Sequence, residues 1–379
     1  MSVAEPRTLP QLIDEAQRVL AICNACRYCE GYCAVFPALQ RRLSFTEGDI
    51  HYLANLCHNC GSCLYACQYA PPHEFALNFP RLMAQVRAQS WRKYAWPGVL
   101  ARAFDSNGLF ASLATAAGLA FFLLFAAWLA GAERLFAAHP DSRGSFYAVI
   151  PHEAMVAVFG AVSAFVLLAL VAGFTRFWSD MGEARLGLDG SGPAAGALQD
   201  AAVLKYLDGG GDGCTYPDEK PSFTRRVFHH LTFYGFALCF AATGTATIYH
   251  YLLGWMAPYP FWSLPVVLGT VGGIGLLVGP AGLAWLKLRR DPELADPAQR
   301  GMETGFLALL FFTSLTGLAL LALRETRAMG ILLVAHLGVV LALFATMPYG
   351  KFVHALYRFA ALVRFHVERG RAPEHSAPE

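Results

Sequence analysis

The chain has 379 residues, 56% of them hydrophobic and only 15% charged, with a positive mean hydropathy. That excludes an ordinary soluble protein of this length and calls for several membrane spans. The net charge of +2 supplies no field for nucleic acid, so the placement of the charges says more than their sum.

In chain order, residues 1–22 give a polar arm and a short helix, with Pro10 near its start and Leu12, Ile13, Ala16, Val19 and Leu20 on one apolar face. Eight of the ten cysteines follow, in two copies of one pattern. Cys23, Cys26, Cys29 and Cys33 read C-x2-C-x2-C-x3-C, and Cys57, Cys60, Cys63 and Cys67 repeat it. This is the ligand run of paired [4Fe–4S] clusters, in which the fourth cysteine of each run serves the other cluster. The ligand sets are therefore Cys23, Cys26, Cys29 and Cys67 for one cluster, and Cys57, Cys60, Cys63 and Cys33 for the other. Disulfides fit poorly in a chain that opens without a secretory apolar segment. Zinc sites use pairs of C-x2-C rather than three linked cysteines and a fourth. Ala34 and Gln68 stand where bacterial ferredoxins carry proline, and residues 34–56 read as helix rather than strand. The module expected over residues 1–105 is thus α-helical. His51, His58 and His73 lie by the cysteine runs, and His58 is a candidate either for tuning a cluster or for a structural role.

Pro71 and Pro72 break the chain. Arg81, Arg87, Arg92, Lys93 and Arg102 then interleave with Trp91, Tyr94 and Trp96. That is the pattern of a basic membrane anchor on an anionic leaflet, or of a solvated helix before a span. Six apolar stretches follow, near 109–130, 147–172, 226–250, 264–286, 303–323 and 328–350, each close to the ~20 residues a crossing helix needs. The fold class is all-α: a helical ferredoxin module, a six-helix membrane bundle over 106–360, and a disordered tail over 361–379. The second connection carries Arg176, Arg185, Lys205, Lys220, Arg225 and Arg226, and the fourth carries Lys287, Arg289, Arg290 and Arg300. The tail carries Lys351, Arg358, Arg364, Arg369 and Arg371, whereas the third connection, 251–263, has no charge. The positive-inside rule then places both termini and the cluster module in the cytoplasm.

Gly269, Gly273, Gly275 and Gly279 in the fourth span are spaced for close helix packing. The connection over 176–225 is long enough to be functional or disordered. Its Gly-rich segment Asp208–Cys214 lacks the Gly-Lys-Ser/Thr ending of a phosphate loop. It is a candidate to dock on the cluster module or on a partner. Cys214 reads as a free thiol and Cys239 as a small core residue.

Ionisable residues inside spans are functional candidates. His336 and His354 are separated by five helical turns and share a face, roughly 27 Å apart along the axis. His229 and His250 lie within about 60° of one stripe, whereas His230 and His250 are about 160° apart. Two antiparallel helices so furnished can hold one or two b haems, with His229 facing His354 and His250 facing His336. The competing reading has these histidines capping helix ends or bonding loop carbonyls. His230 and His152 are reserve ligands.

The module resembles the α-helical ferredoxin modules of heterodisulfide reductase and of succinate dehydrogenase iron–sulfur subunits. Nearly the whole chain resembles the tricarballylate/citrate-utilisation B family. The resemblance rests on the two cysteine runs together with Tyr206-Leu-Asp-Gly-Gly-Gly-Asp-Gly-Cys214, His229-His-Leu-Thr-Phe-Tyr-Gly-Phe236 and Pro348-Tyr-Gly-Lys-Phe-Val-His354. It implies an electron carrier of the bacterial inner membrane with [4Fe–4S] clusters and haem. Such a carrier reoxidises the FAD of a partner tricarballylate dehydrogenase and delivers electrons to membrane quinone. No residue of the substrate chemistry itself is visible, so no catalytic residue is assigned. Two other readings compete: a stand-alone heterodisulfide-reductase-like reductase, and a redox sensor or transporter. Two closed clusters use all eight cysteines and leave no open iron, and the spans show no broken-helix pair of the transporter type.

Overall fold

The computed structural model describes residues 8–139, 144–182 and 192–371. Arg185 and residues 372–379 of the expected tail lie outside the described residues. Five helices build the N-terminal module: α1 (Leu9–Cys26), α2 (Val35–Leu39), α3 (Glu47–Leu56), α4 (Ser62–Tyr65) and α5 (Phe79–Tyr94). The Thr8 N–H donates to Gln11 Oε1 at the start of α1. Leu12, Ala16, Val19 and Leu20 are buried on one face of α1, as the periodicity requires. The helix runs past residue 22 and stops at Arg27, which takes a left-handed conformation (φ 55°). Its last turn therefore carries Cys23 and Cys26.

The basic stretch read as a membrane anchor or solvated helix is corrected by α5. Trp91 and Tyr94 are buried in the module core with Leu82, Met83 and Val86, and Arg87 is buried beside them. Trp91 Nε1 donates to Asn55 Oδ1 at 3.0 Å. An amphipathic face suits a neighbouring helix as well as a lipid surface, and here α1 and α3 supply it.

Downstream come α6 (Asn107–Ala130), the short α7 (Ala132–Leu135) and α8 (Ser145–Val149), α9 (His152–Asp180) and α10 (Pro193–Ala202). A hairpin of β1 (Cys214–Thr215) and β2 (Pro221–Ser222) leads to α11 (Thr224–Leu253), α12 (Leu264–Arg289), α13 (Arg300–Leu323), α14 (Met329–Thr346) and α15 (Val353–Arg369). Helices α6, α9, α11, α12, α13 and α14 are long and apolar enough to cross a membrane. Their outer surfaces are apolar too, with Leu124, Trp128, Leu167 and Leu252 exposed. The glycines of α12 do allow close packing. A Cβ on Gly275 would stand 2.9 Å from the Leu231 carbonyl of α11, and one on Gly273 would stand 3.1 Å from Ser314 Oγ of α13.

The tail expected to be disordered from residue 361 is helical as far as Arg369. Tyr357, Ala360, Ala361, Leu362 and Phe365 of α15 join the module core. The basic residues that made it look solvated are partly buried in ion pairs. Arg364 meets Asp49 at 2.7 Å and Glu368 at 2.9 Å, and Arg42 binds the same two carboxylates. The Tyr52 hydroxyl adds a bond to Glu368 at 3.1 Å. A second buried carboxylate, Glu303 on α13, gathers Lys287, Lys351 and Arg290 at 2.6, 3.0 and 3.3 Å. Gly48 of α3 meets the carbonyl of Asp180 at the end of α9, where a Cβ would collide. The module is therefore seated on the ends of the long helices.

Removing one partner from a buried ion pair leaves an uncompensated charge, which costs about 3–5 kcal/mol. Glu368→Ala strands Arg42 and Arg364 on Asp49 alone. It is expected to lower the thermal unfolding midpoint of the module, followed by tryptophan fluorescence in detergent. An unchanged midpoint would show that α15 is not held by this network.

Candidate redox centres

Local structure explains how the cysteines curl around common centres. Cys23 and Cys26 lie one turn apart on α1, and the left-handed Arg27 then reverses the chain into the turn holding Cys29 and Cys33. Cys57 ends α3, the left-handed Asn59 (φ 53°) turns the chain towards Cys60, Cys63 lies on α4, and Cys67 follows it. Burial pushes the Cys23 thiol up to about 12, and Cys29, Cys67 and Cys26 add to the rise. Burial also raises Cys33, but its thiol neighbours are Cys60 and Cys57. Cys29 also feels Cys60, and Cys63 feels Cys29, so all of these thiols lie in one neighbourhood.

Thiols that repel one another as anions suit a cationic iron–sulfur core. Among the described residues, no three His, Cys, Asp or Glu side chains close tightly enough for a single metal ion. The cysteines of a cubane each bind a different iron and so stand further apart. Exposure differs between the two runs: Cys57, Cys60 and Cys63 are buried, whereas Cys23, Cys26, Cys29 and Cys67 are half-buried, as is Cys33, the fourth member of the second set.

The Gly-rich segment lies against the second run. Gly209, Gly210 and Gly213 have positive φ of 62°, 94° and 103°, and Cβ atoms there would crowd Ser62, Tyr32 and Ser222. The Gly213 N–H closes the turn on the Asp208 carbonyl at 2.7 Å. Thr215 Oγ1 reaches Ser62 Oγ at 3.4 Å. Cys214 is a free buried cysteine, its thiol donating to the Leu207 carbonyl at 3.2 Å. The neighbouring Cys214 thiol is the main cause holding Cys60 down, at about 6.

Three arginines escaped the sequence reading as site residues. Arg87 Nη1 donates to the carbonyls of Cys57 and Ala54 at 2.6 and 3.2 Å. Arg358 Nη2 donates to the Cys57 carbonyl at 2.9 Å. Arg225 donates to the carbonyls of Asn59 and His58 at 2.6 and 3.0 Å. A signal was present: Arg225 precedes His229, and Arg358 follows His354, by one helical turn. His58 sits inside this frame, its Nδ1 bonded to the Leu56 carbonyl at 2.9 Å, and burial holds it well below the ordinary imidazole range. His51 is buried against Ser90, and His73 packs on Tyr69 and Phe75.

The histidines expected to hold haem pair only in part as expected. His229 and His354 do meet, with ring centroids 6.2 Å apart and planes at 74°. With metal–nitrogen bonds of about 2 Å plus the ring radii, two axial imidazoles stand roughly 6 Å apart, so this pair fits one haem iron between them. His354 Nδ1 bonds the Lys351 carbonyl at 2.5 Å, which leaves Nε2 as the nitrogen that could bind a metal. Burial keeps His354 well below the usual imidazole range, in the neutral form that binds metals. His229 Nδ1 and Arg358 Nε are buried without a partner among the described residues.

The expected pairing of His250 with His336 is corrected. His250 lies on the last turn of α11 and stacks on His152, the reserve residue, at 3.8 Å and 15°. That leaves no room for a metal between the rings. The two line an open pocket of about 450 Å³ with Tyr147, Pro151, Glu153, Gly254 and Met256. His336 is set about 10 Å into α14 and faces α13, with Thr316 Oγ1 3.2 Å from its Nδ1 and Gly317 beside it. The five-turn spacing of His336 and His354 on one helix is also corrected: α14 ends at Thr346 and α15 begins at Val353, so the two lie on different helices and share no common phase. His230 turns aside towards Tyr234.

Residues 107–375 match the family described as citrate utilization protein B, and residues 16–94 match that family's Fer4-like domain. The citrate utilization protein B of Escherichia coli is 51% identical over 375 residues, which cover 98% of this chain and 97% of that protein. No solved structure matches.

The geometry predicts that His229→Ala and His354→Ala each abolish the reduced α-band of a b haem in the purified protein. His250→Ala and His336→Ala are expected to keep it. The reduced-minus-oxidised spectrum checks this, and loss of the band in the second pair with retention in the first would contradict it.

Proposed function

The chain belongs to the citrate utilization protein B family, and from that premise we propose that it carries electrons from the reduced FAD of a partner dehydrogenase to the quinone pool. The two crossed cysteine sets are assigned to two [4Fe–4S] clusters, and His229 with His354 to one b haem. When bound, these groups supply one-electron carriers between a two-electron flavin and a lipid-soluble quinone. The resemblance names a tricarballylate dehydrogenase as the partner and the bacterial inner membrane as the location. The basic second and fourth connections support a cytoplasmic module.

The observation that carries this reading is the frame around Cys57–Asn59. Arg225 and Arg358 grip its carbonyls from α11 and α15, one turn from His229 and His354. The buried second cysteine set and the histidine pair are thereby fixed side by side. The half-buried first set opens to solvent, with Tyr28 68% exposed in the turn between Cys26 and Cys29. That edge is where a flavoprotein can come close enough to unload. His354, held through its Nδ1, presents Nε2 in one orientation and needs no reorganisation when the charge changes.

Reconstitution tests the reading. In liposomes with the flavoprotein, its carboxylic acid substrate and a quinone analogue, quinone reduction is expected only with all three components. Cys26→Ser and Cys60→Ser should each abolish it. Quinone reduction that survives both substitutions, or a flavoprotein unable to reduce the chain, would defeat the proposed route.

A further inference from the structure

Arg87, Arg225 and Arg358 converge on one short stretch of main chain, and main-chain carbonyls are their partners. Among the described residues, none of the three pairs with a carboxylate. Arg225 instead adds a cation–π contact with Tyr216, 4.5 Å from the ring centroid. Arg87 is buried and Arg225 and Arg358 are half-buried; the nearest carboxylate influence on Arg87 is Glu303, which acts without a direct contact, so the protein alone leaves this region short of negative charge. The carbonyls turn outward to the guanidiniums while a neighbouring amide turns inward, the Asn59 N–H reaching Cys57 Sγ at 3.4 Å. Both features favour extra negative charge on the second cysteine set.

Although Gln68 Nε2 reaches Cys26 Sγ at 3.6 Å, among the described residues the first set has no such arginine frame. Its nearest counterpart is Arg27, whose Nε donates to the Asn24 carbonyl at 3.0 Å. That side chain is exposed, where water and salt screen it.

Resting on the function proposed above, we infer that Arg87, Arg225 and Arg358 make the cluster of the second set the more readily reduced of the two. Electrons entering at the exposed first set then collect beside His229 and His354. The reduction adds one electron and no proton, taken from the partner's reduced flavin. It leaves one further negative charge, which the three guanidiniums hold.

The test is an EPR-monitored redox titration of the purified full-length protein with chemical mediators. A water-soluble dysprosium chelate broadens the half-exposed cluster and so tells the two apart. In the native chain the unbroadened cluster is expected to be reduced first. Arg87→Gln and Arg358→Gln are each expected to lower its reduced-to-oxidised ratio at fixed potential about tenfold, which is about 59 mV for a one-electron couple. The broadened cluster should not move. Arg87→Lys and Arg358→Lys, which keep the charge, should recover most of the loss, and they decide the matter if a glutamine variant loses iron. The inference is overturned if the exposed cluster is reduced first, or if the substitutions shift both clusters or neither. Mediators replace the flavoprotein here, so failure of the partner to reduce the chain would defeat the proposed function without touching this result.

Discussion

Three guanidinium groups that lack carboxylate partners among the described residues hold the carbonyls of Cys57, His58 and Asn59, and the rest of the structure depends on that contact. One arginine comes from the module helix α5, one from the start of the long helix α11, and one from α15. Three segments far apart in sequence therefore meet on the main chain of a cysteine run. Cations so placed are tolerable only beside concentrated negative charge, which a thiolate-ligated cluster provides. The ion pairs around Glu368 and Glu303 do the neighbouring task of fixing α15 and the ends of α12, α13 and α14 under the module.

What the sequence made legible was what local spacing encodes. Ligand runs at intervals of three and four residues survive any tertiary arrangement. Apolar stretches of membrane length are equally explicit, and all six reappear as long helices. What it left open was what only tertiary contact decides. The faces of α5 and α15 were plain, but not whether lipid, solvent or protein would cover them. Trp91 and Arg364 look like surface residues in sequence and are core residues in the fold. Arg225 and Arg358 were visible as topology charges, and their one-turn spacing from the histidines went unused.

The histidines show the same limit more sharply. Phase put His229 and His354 on inward stripes and the fold brings them to 6.2 Å. Phase also put His250 and His336 on those stripes, but the stripe through His336 and His354 assumed one unbroken helix, and the chain breaks between Thr346 and Val353. His250 meets His152 at the far end of α11, while His336 turns to Thr316 within the bundle. One histidine pair, His229 and His354, stands close to the module, each one turn from an arginine bonded to the main chain of the second cysteine run. The Gly-rich segment after α10 packs over the run of Cys57, Cys60 and Cys63, which are buried, while the first set is half-buried.

The central claim is that the buried cysteine set and the inner histidine pair form one continuous redox frame. A cryo-electron microscopy map of the cofactor-loaded protein in lipid nanodiscs measures this most directly. The account predicts two cubane densities in the module, the second enclosed by Arg87, Arg225 and Arg358, and one macrocycle between His229 and His354. A macrocycle ligated by His250 or His336 instead, or a second cysteine set bound to something other than a cubane, would contradict it.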